Sequence, residues 1–402
     1  MEIPKLLNKD FFKKSIENGL KISNVIINEL DISAGFSGGE NYCSQIFRAC
    51  IKYNHNNKSN NISLIIKYMD LSGEKIFLEE LEVYQREKKM YFEVIPELEK
   101  ILGGNVKLSP KCFYAVNEPV TTIVFEDMSQ QGYEVSDRIN GLDEIHIKIL
   151  LEKIAKFHAA SMILAEKDPN LMKSFHRGMF HSMDCLAKDT VFIGNLDYLA
   201  DTVDKKWSDF DAIANKIRNI KKKFYDVALK TVELKESTIA VLNHGDLWVN
   251  NMMFKKCNNT VTDVALIDLQ LSYYGSLGID LHYFMNTSIP TEILKTKRYE
   301  LLRFYFGHLK NTLKILNYKK IPTWEEFKNE IHSTEFYGFF AYEAILPVIC
   351  LDKEASKDNS FETFTDEKKS LENREKVINS KRFIEMSKYS LDRFDELGIL
   401  DI

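Results

Sequence analysis

A chain of 402 residues with a net charge of −5, 45% hydrophobic and 28% charged side chains has the make-up of an ordinary soluble protein, with apolar material for two or three packed units. The acidic balance argues against nucleic acid as a partner, because a phosphate-backbone binder needs a basic face. Six scattered cysteines without a C-x-x-C pair read as free thiols in a reducing compartment, not as a disulfide framework.

In chain order, the opening M-E-I-P-K-L-L-N-K-D-F-F-K-K has no apolar run of the kind a secretory signal needs, and 8–19 reads as a short amphipathic helix. Three strand-like runs follow, V-I-I-N-E-L-D-I, S-Q-I-F-R-A-C-I-K-Y and N-I-S-L-I-I-K-Y-M, with a period near two and many β-branched residues. The span 75–102 predicts one long helix ending at Gly103-Gly104. K-C-F-Y-A-V and V-T-T-I-V-F-E then complete five strands with one helix inserted after the third. Beyond Asp127 the pattern turns helical, with helices predicted over 142–165, 202–234, 291–316, 324–345 and 375–394, and a Lys/Asp-rich loop over 352–369. The expected organisation is a nucleotide-binding lobe over 1–127 and a mainly helical lobe over 128–402. The longest apolar stretch, 339–351, is interrupted by Glu343 and Pro347 and is too short to span a bilayer. The C-terminus carries no lipidation motif. These features predict a cytoplasmic protein without a membrane partner.

One stretch breaks the helical run: V-L-N-H-G-D-L-W-V-N-N-M-M-F, a short polar link, then D-V-A-L-I-D-L-Q. It reads as strands whose ends carry His244, Asp246, Asn251 and Asp268, where a buried hairpin would otherwise carry Val, Ile or Leu. The order H-x-D-x-x-x-x-N followed by a strand-borne aspartate is a phosphoryl-transfer layout. Asp246 can orient and deprotonate an attacking hydroxyl. Asn251 and Asp268 offer Mg²⁺ a neutral and an anionic oxygen across one hairpin. In that layout Lys67, on the third strand among Ile65, Ile66 and Tyr68, is the catalytic point charge for the ATP phosphates, although a snorkelling edge lysine is the common alternative. The helix offers Glu79, Glu80, Glu82, Glu87 and Glu93 as partners for Lys67, and spacing does not separate Glu87 from Glu80. The glycine-containing A-G-F-S-G-G-E-N-Y between the first two strands is a weak motif by itself. Its position predicts that Ser37, Gly38, Gly39, Glu40 and Asn41 cover the β- and γ-phosphates.

The motifs H-G-D-L-W-V-N-N-M-M-F, L-I-D-L-Q, Y-G-S-L-G-I-D-L-H-Y-F, G-G-E-N-Y-C-S, E-K-K-M-Y-F-E-V-I-P-E-L, V-F-E-D-M-S-Q-Q-G-Y and I-A-K-F-H-A-A-S-M resemble the ecdysteroid kinase-like (CHK kinase-like) family, a group related to choline kinases and aminoglycoside phosphotransferases. The resemblance covers about Gly35 to Phe284. It implies an α+β, bilobal protein-kinase-like fold with a five-stranded antiparallel sheet and a helix in the first lobe, with ATP and Mg²⁺ as cofactors. It selects Glu87 as the Lys67 partner and makes V-F-E-D-M the hinge, where backbone groups of Glu126 and Met128 meet the adenine edge. It makes Asp280 a brace for the catalytic turn. His158 and His244 read as structural, and Gln270 stands where protein kinases have glycine.

The acceptor implied by the resemblance is a small-molecule alcohol, an ecdysteroid or a similar hydroxylated lipophile, handled by a monomer in detoxification. Trp248, Phe175, Met179, Phe180, Met183, Tyr337, Phe340 and Tyr342 could line an apolar acceptor pocket or be ordinary core. A choline- or aminoglycoside-type kinase, and a non-catalytic pseudokinase that sequesters a hydrophobic ligand, stay open as alternatives. Protein substrates are disfavoured, since no A-P-E segment follows Asp268.

Overall fold

The computed structural model describes residues 3–35, 44–69, 82–180, 192–207, 210–258, 260–351 and 367–401. Helix α1 (Lys9–Leu20) is capped by Asn8, whose side chain accepts from the N–H groups of Asp10 and Phe11 at 3.0 and 3.1 Å. Strands β1 (Ile26–Ala34), β2 (Gln45–His55), β3 (Lys58–Met69), β4 (Cys112–Val116) and β5 (Thr121–Glu126) form one antiparallel sheet in the order β1-β2-β3-β5-β4.

The period of two along β3 decides which layer each residue joins. Leu64, Ile66 and Tyr68 pack with Phe11, Phe12 and Ile16 of α1 on one face of the sheet. Ile65 and Met69 belong to the larger core on the opposite face, so Lys67 between them points the same way. That face is covered by α2 (Val83–Lys89) and α3 (Ile95–Ile101), joined through the wide turn Met90–Val94.

The helix thus crosses Pro96 instead of stopping before it. Proline has no N–H and its ring collides with the carbonyl four residues back. Here the Ile95 N–H donates to Met90 O, five residues back, and the widened turn moves the carbonyl ladder ahead of the ring. The same device recurs at Pro347: the single helix expected over 324–345 is divided into α9 (Trp324–Ser333) and α10 (Glu335–Phe340), and the wide turn Ala341–Ile345 leads into α11 (Leu346–Cys350).

The remaining body is mainly helical, as expected: α4 (Glu144–Lys167), α5 (Gly194–Lys206), α6 (Asp211–Val232), α7 (Gly278–Thr287), α8 (Thr291–Ile315), α12 (Glu367–Ile378) and α13 (Lys381–Glu396). Two helices stand where one was predicted over 202–234, because Trp207 leaves helical backbone (φ −127°, ψ 84°). Helix α7 was not anticipated. All of its residues are buried, so it shows no polar face to betray the helical period. Of the loop expected over 352–369, residues 367–369 open α12 and the remainder lies outside the described residues. No helix among the described residues is long and apolar enough to cross a membrane.

Two small sheets carry the H-G-D stretch. Strand β7 (Ala240–Asn243) pairs with β10 (Tyr273–Ser276) and not with the strand that follows it. Strands β8 (Met252–Cys257) and β9 (Thr260–Leu266) form the hairpin, extended by β6 (Tyr133–Val135).

Candidate active site

The H-G-D turn leaves β7 and is held by α7. Buried Asp280 accepts the N–H groups of His244 at 2.7 Å and Gly245 at 2.9 Å, and meets His158 Nε2 at 3.1 Å. The Asp246 N–H donates to His244 Nδ1 at 3.3 Å, which leaves Nε2 to donate to the Ile267 carbonyl at 2.9 Å. His244 thereby ties the turn to the end of β9. His158 meets the Tyr305 hydroxyl at 2.6 Å through its other ring nitrogen, so both histidines are consumed by bracing contacts.

Asn251 and Asp268 stand at the open end of the β8–β9 hairpin, where the Ile267 N–H donates to Asn251 O at 3.0 Å. Asp268 takes left-handed backbone (φ 60°, ψ 61°), a conformation that aspartate tolerates better than branched residues do. The Asn251 amide donates to Asp246 Oδ2 at 2.8 Å and to the Asp246 carbonyl at 2.9 Å, which points its acceptor end, Oδ1, elsewhere. Asp246 Oδ1 accepts from the Tyr283 hydroxyl at 2.6 Å. Burial raises the Asp246 carboxyl above the ordinary aspartate value, against the lowering pull of the Tyr283 hydrogen bond.

Lys67 joins the sheet to this hairpin. Its ammonium lies 2.9 and 2.8 Å from the two Glu87 oxygens and 2.7 Å from Asp268 Oδ1, with Gln270 Oε1 at 3.4 Å. Burial alone would lower the Lys67 pKa, but the Asp268 and Glu87 carboxylates outweigh it and hold the ammonium well above the usual lysine value. Glu87, at 1% exposure, is pushed up to about 7 by burial, with Lys67 pulling it down and Asp268 adding to the rise.

The other sequence-derived residues divide into three groups. Ser37, Gly38, Gly39, Glu40, Asn41 and the alternative Glu80 lie outside the described residues, as does Met183. At the expected hinge, the Glu126 N–H is not free: it donates to the Lys111 carbonyl at 3.0 Å, and the Glu126 carboxylate is held by Lys107, the Lys111 N–H and Gln131. The backbone N–H expected to meet the adenine edge is therefore taken. Met128 opens the short turn Met128–Gln131, a position whose N–H has no partner within the turn. Among the described residues no group of three or more His, Cys, Asp or Glu could hold a metal ion by itself. An Asn–Asp pair still suits Mg²⁺, which keeps waters and takes phosphate oxygens beside one or two protein ligands.

A cavity of about 150 Å³ opens beside the turn, lined by Met179, Phe180, Leu229, Val232, Tyr273 and Tyr337 among others. Three of the eight aromatic and Met candidates, Met179, Phe180 and Tyr337, face it. Phe175, Phe340 and Tyr342 are core side chains, Tyr342 stacking on Phe383 at 5.8 Å. Trp248 is buried in the same core. The sequence reading missed Tyr283 and Tyr273. Only the observed helix α7 shows that Tyr283, three residues after Asp280, shares the face that grips the turn.

A five-stranded antiparallel sheet whose lysine is held by a helix glutamate, followed by a mainly helical body that presents an H-G-D turn and a metal-type Asn–Asp pair, is a protein-kinase-like fold. Residues 38–318 match the ecdysteroid kinase-like family, and the chain belongs to it. A Caenorhabditis elegans protein described as an uncharacterized kinase-like protein is 22% identical over 258 residues, covering 62% of this chain and 65% of that protein, which is less than two thirds of its length. Among solved structures, the ethanolamine kinase of Plasmodium vivax aligns with 16% identity and a TM-score of 0.41, over 92% of this chain and 83% of that one. The GDP complex of wild-type aminoglycoside 2'-phosphotransferase-IIIa aligns with 11% identity and a TM-score of 0.40, over 95% and 99%.

Proposed function

We propose that this protein is an ATP- and Mg²⁺-dependent small-molecule O-kinase that phosphorylates a hydroxyl of an ecdysteroid or a similar hydroxylated lipophilic metabolite. The observation that carries the reading is one constellation drawn from distant parts of the chain: Lys67 on Glu87 and Asp268, beside Asp246 hydrogen-bonded to Asn251.

In this reading Asp246 orients the acceptor hydroxyl and takes its proton as the oxygen–phosphorus bond forms and the bond to the ADP oxygen breaks. Asn251 Oδ1 and the Asp268 carboxylate would hold Mg²⁺, which when bound neutralises triphosphate charge. Lys67 contributes a fixed positive charge to the phosphate oxygens, and Glu87 holds that charge in place. The segment from Ser37 to Asn41 covers the phosphates, and the Glu126 carbonyl with the Met128 N–H receives the adenine edge. We place the boundary between the two lobes at Met128. The aromatic and aliphatic walls of the cavity beside Tyr273 and Tyr337 suit a lipophilic acceptor. Free Cys50, Cys112, Cys257 and Cys350 agree with a cytoplasmic setting, and we take the working form to be a monomer.

The test is incubation of the full chain with Mg·ATP and a panel of polyhydroxylated sterols, read by mass spectrometry for products gaining one phosphoryl group. Magnesium-dependent product is expected. Thermal stabilisation by a sterol with no ADP formed would instead make this a binding protein.

A further inference from the structure

One helix grips the turn that presents Asp246. On α7, Asp280 and Tyr283 are one helical turn apart and share a face. Asp280 holds the backbone of the turn through the N–H groups of His244 and Gly245, while Tyr283 reaches the Asp246 side chain at 2.6 Å. An aspartate's terminal torsion is broad and roughly two-fold, so a single hydrogen bond leaves the carboxylate plane free to swing. Asp246 has a donor on each oxygen, Tyr283 on Oδ1 and Asn251 on Oδ2. Asn251 cannot supply both, because its two N–H groups are spent on Oδ2 and on the Asp246 carbonyl.

The Tyr283 ring also neighbours the cavity wall: its centroid is 6.4 Å from that of Tyr337, which lines the cavity. Buried Tyr283 thus holds the carboxylate through its hydroxyl and neighbours the cavity through Tyr337.

We infer that Tyr283 is a positioning residue for phosphoryl transfer, its hydroxyl fixing the plane of the Asp246 carboxylate toward the incoming hydroxyl. The inference rests on the proposed reading of Asp246 as the base. A tyrosine that merely packs would, on losing its hydroxyl, change stability and either leave turnover alone or lower it equally with and without the Asp246 carboxylate.

The experiment uses the full chain and the slow hydrolysis of Mg·ATP, with water as the acceptor, comparing the parent, Tyr283→Phe, Asp246→Asn and the double variant by ADP release. Tyr283→Phe is expected to keep KM for ATP within about two-fold and to lose kcat by roughly 10- to 100-fold, the scale of a slight misplacement of a reacting group. In the Asp246→Asn background the same change should alter kcat by less than about two-fold, since no base is left to position. Tyr283→Phe with the parental kcat, or with an equal loss in both backgrounds, overturns the inference; the second outcome reports a packing defect. If Asp246→Asn hydrolyses as fast as the parent, the base assignment falls and this inference with it. If Asp246→Asn is slow and Tyr283→Phe is not, only the role of Tyr283 falls. A parent chain that releases no ADP with water or with the sterol panel overturns the kinase reading and both assignments.

Discussion

The Gly245 N–H donates to Asp280 Oδ1 at 2.9 Å, on a backbone (φ +83°) that brings the Gly245 Cα against the Leu271 carbonyl. A Cβ at this residue would stand 2.0 Å from Leu271 O, so neither the dihedral nor the space admits a side chain.

Gly245→Ala should therefore lose at least about 2 kcal/mol of stability and most of its turnover, because relieving the clash pulls the turn away from Asp280. Gly103 is the control: its φ is +87° but a Cβ there would meet nothing within 4 Å, so Gly103→Ala should cost only about 1 kcal/mol and leave activity alone. Urea denaturation of the two variants checks the contrast, and equal losses would mean that the Leu271 contact yields easily.

Lys67 and Glu87 predict a distinctive pH dependence. Glu87 sits at about 7 when folded, raised by burial from an ordinary value of 4.5, and Lys67 keeps it from rising further. An acid whose folded pKa is raised gives stability that is full below its unfolded value and is lost as pH climbs through the folded one. In the parent the loss should level off above pH 7. Lys67→Met removes the cation, pushes Glu87 higher, and should extend the loss to more alkaline pH. Melting temperatures from pH 5 to 9 should show the gap between parent and variant widening above pH 7. A constant gap would mean that the pair is not electrostatically coupled.

Much of this site was legible because strand period and residue chemistry disagree at particular places. Lys67 interrupts a run that is otherwise Leu64, Ile65, Ile66, and Asp246, Asn251 and Asp268 occupy strand ends in an order that phosphoryl transfer uses. The contacts behind those residues were less readable. Helix α7 carries Asp280 and Tyr283 but is buried all round, so its period is silent. The wide turns before Pro96 and Pro347 depend on an i→i−5 hydrogen bond that no residue type announces. The β7–β10 pairing joins segments with the whole β8–β9 hairpin between them, and sequence adjacency points to the wrong partner. The hinge reading supposed free backbone at Glu126 because nothing in V-F-E-D-M reveals that Lys111 returns to take its N–H.

Acid sensitivity should trace to His282. Burial lowers its pKa from 6.5 to about 4, with Glu335 pulling the other way. Its Nε2 meets the Ile331 carbonyl at 2.8 Å, and Glu335 is in turn kept at about 2, against its own burial, by His282, Arg298 and Arg393. A base with a depressed folded pKa gives stability that is full above its unfolded value and is lost as pH falls to the folded one. The window is pH 6.5 to 4, and the loss at its lower end is about 3 kcal/mol. His282→Gln keeps a donor for Ile331 and removes the proton uptake. It should start less stable at pH 7 and show a flatter decline toward pH 4, as followed by thermal melts; a decline parallel to the parent's would place the sensitive group elsewhere.

Asp246→Asn addresses the chemistry most directly, and its geometry determines what must be measured with it. An asparagine oxygen can still accept from Tyr283, but the second arm becomes an NH₂ group facing the Asn251 amide, which is itself a donor at 2.8 Å. The variant thus loses the proton acceptor and one anchor of Asn251 together. If Asp246 is the base, kcat should fall by about 10²- to 10⁴-fold while ATP affinity stays within a few-fold, since base and nucleotide contacts are separate groups. Loss of nucleotide affinity on the same scale as kcat would move Asp246 into the cation's shell through Asn251. Asn251→Ala then serves as the comparison: it should weaken magnesium-dependent nucleotide binding first, and a variant that binds Mg·ATP like the parent would remove Asn251 from the metal site.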